Sequence, residues 1–139
     1  MTRWLVLWLA ACGGEDAPVD PTVDILSPVE GEEVTTDALG VTAVTTGFRY
    51  EAPDTGLAAW TAWLMPTARA HEPGESPYGY LQWRIDGADV LATSDPSATL
   101  DLSALGDGAH SVEVELFYPD GDAFYPPVVD VVGIVLERP

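Results

Sequence analysis

Residues 109–118 read AHSVEVELFY. Val112, Val114 and Leu116 alternate with Ser111, Glu113 and Glu115, so an extended chain sets three aliphatic side chains on one face and two carboxylates on the other. A period of two marks a strand with one buried face, and nowhere else in the chain is the alternation cleaner.

The same pattern repeats on either side. Residues 119–122, PDGD, turn the chain. Residues 128–137, VVDVVGIVLE, are apolar on both parities, which predicts a well-covered final strand. Upstream, residues 78–86, YGYLQWRID, place Leu81, Trp83 and Ile85 on one face, and Asp86-Gly87 ends that strand in a tight turn. Shorter strands are predicted at 90–93 and 98–102. Between residues 39 and 50 the apolar parity changes. Leu39, Val41 and Ala43 share one phase; Val44, Phe48 and Tyr50 share the other, as at a bulge or where a strand changes sheets. Val23 and Ile25 alternate with Thr22 and Asp24 ahead of a turn at residues 27–31. About seven short strands separated by turns predict an all-β fold, an antiparallel β-sandwich over residues 22–139.

Four stretches, in order, carry a family resemblance. ILSPVEGEEV resembles the first strand of bacterial Ig-like domains, and WRIDGADV their third strand and Asp-Gly hairpin. LSALGDGAHSVEVEL is similar to their Leu-x-x-Gly-x-His-x-Val-x-Val corner, and PDGDAF to their closing hairpin. The departure is residues 51–77, inserted between the second and third strands where that family has a short connection. Leu57, Trp60 and Leu64 sit at helical spacing there, so a short amphipathic helix is predicted in a segment that also holds four prolines.

The N-terminus supplies an address. Residues 1–11, MTRWLVLWLAA, carry one cation, Arg3, ahead of an apolar run far too short to span a bilayer. Leu9-Ala10-Ala11-Cys12 resembles the lipobox of bacterial lipoproteins. That resemblance implies cleavage before Cys12 and acylation of this lone cysteine. Gly13 in place of Asp implies, by resemblance to the enteric sorting pattern, an outer-membrane or cell-surface destination. Residues 12–21 then read as a lipidated cysteine with a short acidic, flexible tether.

Charge narrows the partners. Without residues 1–11, four arginines face 23 acidic side chains, a formal charge of −19 with no lysine. Such a surface cannot neutralise phosphates, so nucleic acid is excluded as a partner, and docking to anionic headgroups is disfavoured. The expected partners are the membrane, through the lipid, and a protein or glycan.

Little in the chain suggests catalysis. His110 and Ser111 are strand neighbours whose side chains diverge, so they cannot pair as base and nucleophile. His71 lies in the insertion with no partner written for it. Motifs for phosphate cradles, serine hydrolases and metalloproteases are missing, and a non-enzymatic role is expected. Exported Ig-like domains that bear Gly-His-x-His on the third strand would place it at Gly79-Tyr80-Leu81-Gln82, which has neither ligand. No cofactor is expected; calcium at the turn residues Asp86, Asp89, Asp120 and Asp122 is the alternative, although no loop with six oxygen ligands is written. The sequence therefore predicts a lipid-anchored envelope module with a structural or adhesive role. The alternative is a small-ligand or glycan-binding lipoprotein whose stacking surface comprises Trp60, Trp63, Tyr78 and Tyr80.

Overall fold

In the computed structural model the chain is described over residues 20–54 and 77–139. The leader, Cys12, most of the tether, the predicted helix, Trp60, Trp63 and His71 lie outside the described residues. The alternating segment becomes β8 (Gly108–Phe117), the centre of the larger sheet. It is flanked by β5 (Tyr78–Ile85) and β9 (Val129–Leu136). A smaller sheet has the order β1-β3-β7, formed by β1 (Thr22–Ser27), β3 (Ala38–Thr46) and β7 (Ser97–Asp101). The larger one runs β2-β9-β8-β5-β4, with β2 (Glu32–Val34) and β4 (Arg49–Tyr50), and β6 (Ala88–Thr93) also pairs with β5. All pairs are antiparallel except β2 with β9 and β4 with β5. This is an Ig-like β-sandwich. The described residues hold nine strands rather than about seven; the additional β2 and β4 are too short to show alternation.

Packing follows parity. Val112, Val114 and Leu116 are fully buried, as are Leu81 and Trp83 on β5, and they close on Leu39, Val41 and Leu100 of the smaller sheet. Each such aliphatic side chain contributes about 1.5–3 kcal/mol by leaving water. Trp83 is the largest fully buried side chain, and its indole Nε1 has no hydrogen-bond partner among the described residues.

The parity change between 39 and 50 is a change of sheet. β3 runs on to Thr46, with Val44 facing outward; Gly47 (φ 64°) turns the chain, and β4 joins the other sheet beside Tyr78 and Gly79.

The final strand departs from expectation. Ile134 and Leu136 are buried, but Val129 and Val131 are 45% and 50% exposed. β2 borders only Ile134–Leu136, and the outward neighbours of Val129 and Val131 are Glu115 and Glu113. Apolar residues on both parities here mean an exposed valine pair, not two covered faces. The open edge is plugged by carboxylates instead. Asp130 accepts the N–H groups of Val131 (2.9 Å) and of Ile25 across the seam (2.7 Å). Glu30 accepts that of Gly133 (2.7 Å). These bonds remove donors that another strand would otherwise pair with.

Register also sorts the two ends of the sandwich. Thr22 pairs with Thr46, Arg49 with Tyr78 and Tyr80 with Phe117, so the start of β1, the insertion and the 118–128 loop share one pole. The Asp86-Gly87 turn, the 102–107 loop and Arg138 share the other.

Candidate functional site

The first pole is aromatic. Phe48 meets Tyr50 and Phe124 edge-on, at 5.7 and 5.9 Å between ring centroids, and Tyr118 stacks on Phe124 at 4.0 Å. The Arg49 guanidinium lies 5.3 Å over the Tyr78 ring. Gly79 makes this junction possible: a Cβ there would sit 1.8 Å from the Phe117 carbonyl oxygen. Three backbone bonds gather the ends of the insertion. Arg49 N–H donates to Pro77 (2.9 Å), Glu51 N–H to Gly79 (2.6 Å) and Asp54 N–H to Pro119 (2.8 Å).

Of the predicted stacking surface, Trp60 and Trp63 fall outside the described residues, and Tyr78 is half-buried. Tyr80 lies on the outward parity, yet it is only 8% exposed, its ring stacked on Phe117 at 5.8 Å. Burial raises its phenol pKa. A side chain this covered is no open platform for a sugar. Among the described residues the aromatic presented to solvent is Tyr125, 98% exposed beside Phe124 at 6%. Tyr125 lies in a loop, where strand parity carries no signal of exposure.

Around Tyr80 and Phe117, the outer face is organised by Arg84. Its guanidinium bonds Asp89 (2.6 Å), Glu113 (2.7 Å) and Glu115 (2.5 Å), and lies 5.5 Å over the Phe117 ring. One cation thus ties β6, β5 and β8 together. The Glu115 and Glu113 bonds raise its pKa further still, so it stays charged at any working pH.

The second pole is charged. His110 Nδ1 lies 2.7 Å from an Asp86 oxygen and Nε2 lies 2.7 Å from the Gly106 carbonyl. With an acceptor at each ring nitrogen, the imidazolium is the form that satisfies both. The Asp86 bond raises the His110 pKa, and the same bond lowers that of Asp86. The other Asp86 oxygen accepts the Ser111 N–H (2.9 Å) and meets the Ser111 hydroxyl (3.4 Å). Serine, histidine and aspartate therefore meet, but in the wrong wiring for acyl transfer: the carboxylate stands between the other two, and Nε2 is turned to a carbonyl. Beside them Arg138 bonds Asp37 (2.6 Å) and the carbonyls of Leu102 (2.7 Å) and Leu105 (2.9 Å).

The four turn aspartates do not converge. Asp86 serves His110 and Ser111 and Asp89 serves Arg84, while Asp120 accepts the Asp122 N–H (3.2 Å) at the other pole. Among the described residues no three His, Cys, Asp or Glu side chains are placed to hold a metal ion.

No protein-family model matches the sequence, and no curated protein matches it. Solved structures do. The fibronectin(III)-like modules of Clostridium thermocellum CbhA are 14% identical, covering 84% of this chain and 96% of theirs, with a TM-score of 0.49. The endo-beta-1,4-mannanase of Thermotoga petrophila matches 91% of this chain at 13% identity and a TM-score of 0.51. The match takes in 22% of the mannanase chain, and at this identity it is a likeness of fold.

Proposed function

We propose that this chain is a lipid-anchored Ig-like module of a bacterial cell envelope, held at the outer membrane or cell surface, with a structural or adhesive role and no catalytic one. The observation that carries the reading is the order of parts: LAACGGED, with Cys12 at the foot of an apolar leader, precedes by ten residues the strand that opens at Thr22. Several acyl chains on one cysteine anchor firmly, since each buried methylene contributes about 0.8 kcal/mol. The non-catalytic part of the reading is supported by how the polar side chains are spent. Arg84, His110 and Arg138 each tie separate strands or turns together, and His110 keeps neither ring nitrogen for a substrate.

The test is the intact mass of the membrane-extracted protein beside a Cys12→Ser variant. Loss of residues 1–11 with added acyl mass, abolished by the substitution, is the expected result. An unmodified thiol on a full-length chain would overturn the anchor.

A further inference from the structure

The β1 register brings the tether to the aromatic pole. Thr22 pairs with Thr46, and Phe48, two residues further on, packs 5.9 Å from Phe124. From Cys12 to Thr22 the chain spans at most about 36 Å. β8 alone is about 31 Å long at ~3.4 Å per residue. The charged pole would therefore reach a bilayer only with the tether drawn almost straight along the sandwich, whereas the aromatic pole can reach it with no extension of the tether.

The loop at that pole is built to hold one side chain out. Phe124 is sunk and stacked on Tyr118, while Tyr118 N–H donates to Asp122 (2.9 Å) and Gly121 N–H to Tyr118 (2.9 Å). Tyr125 then stands free, followed by the exposed Pro126 and Pro127. A tyrosine ring with a hydroxyl that keeps its water suits the headgroup region of a bilayer. Glu51, Asp54, Asp120 and Asp122 are exposed around it, against Arg49, so anionic lipid is repelled and a zwitterionic surface is the fitting one.

We propose that Tyr125, Pro126 and Pro127 form a lipid-contact tip that rests on the zwitterionic headgroups of the bilayer to which Cys12 fastens the chain, with the charged pole standing outward. This rests on the lipid anchor of the preceding section. The test uses the full acylated chain in phosphatidylcholine vesicles containing a headgroup-nitroxide lipid. With Cys12 acylated, a cysteine introduced by Ala123→Cys, or at the other pole by Ala104→Cys, is the sole thiol for a fluorophore. Quenching at position 123 is expected to exceed that at 104 several-fold, and Tyr125→Ser in the Ala123→Cys chain to reduce it at least twofold. Equal quenching at both positions on a chain of confirmed acyl mass overturns the tip and leaves the anchor standing. Greater quenching at 123 that ignores Tyr125→Ser also overturns it, because the tether alone would then orient the domain. A chain without acyl mass removes the anchor and the tip together.

Discussion

The two poles of this sandwich are closed by different chemistry. At one, rings stack on rings: Phe48, Tyr50, Tyr118 and Phe124 interlock with almost no charge between them. At the other, His110 and Arg138 reach across to carboxylates and to carbonyls left over by turns. The first depends on shape and is indifferent to pH. The second depends on protonation and is open to water and salt. A chain with so few cations has placed two of them where loops must be tied, and at the insertion end sets one, Arg49, over the Tyr78 ring beside otherwise apolar contacts.

The largest expected effect tests the aromatic pole. Gly79→Ala drives a Cβ against the Phe117 carbonyl at a φ of 157°, and should cost about 3–4 kcal/mol in urea unfolding. A loss below about 1 kcal/mol would mean that β5 and β8 are free to part there. Phe124→Ala removes the ring on which Tyr118 and Phe48 both rest, for about 3 kcal/mol. The loss should be the same at pH 5 and pH 8; a pH-dependent loss would erase the contrast between the poles.

His110→Gln probes the charged pole and should cost about 1 kcal/mol, since Asp86 is exposed enough for water to compete. The sign follows from the direction of each shift. The His110 pKa is raised, so its contribution is whole below the unfolded value of 6.5 and is lost as pH rises through the folded one. The Asp86 pKa is lowered, so its contribution is whole above 3.8 and is lost as pH falls through the folded value. Melting temperatures of the parent and of His110→Gln should differ most between those limits and converge in alkali. A gap that stays constant to pH 9 would show that the neutral ring does the same work. The smallest effect is expected on β9, where Val131→Thr should stay within about 0.5 kcal/mol in the same urea unfolding. A larger loss would restore the two covered faces that the sequence predicts.

What sequence could convey was set by whether the signal is local. The alternation through Val112, Val114 and Leu116 lies within one strand, and it located the core directly. The change of sheet was visible as a parity shift, displaced from Gly47 because Val44 points outward at the end of β3. Arg84 was harder: its partners Glu113 and Glu115 stand 29 and 31 residues away, and only the β5–β8 register brings them together. Tyr80 had the correct parity and the wrong environment, since parity tells which face a side chain takes but not what lies on that face. In β9, valines on both parities mimic burial because composition cannot distinguish a covered face from a tolerated one.

The backbone bonds from Arg49, Glu51 and Asp54 have a consequence for how the insertion can be replaced. They bring the flanks of the insertion side by side at the fold's own edge, so the sandwich closes whatever runs between residues 54 and 77. Cutting that stretch from 22 residues to four would change the closure entropy by only about 1.5 kcal/mol. The position therefore suits a graft, in which one segment is exchanged for another on an unchanged framework.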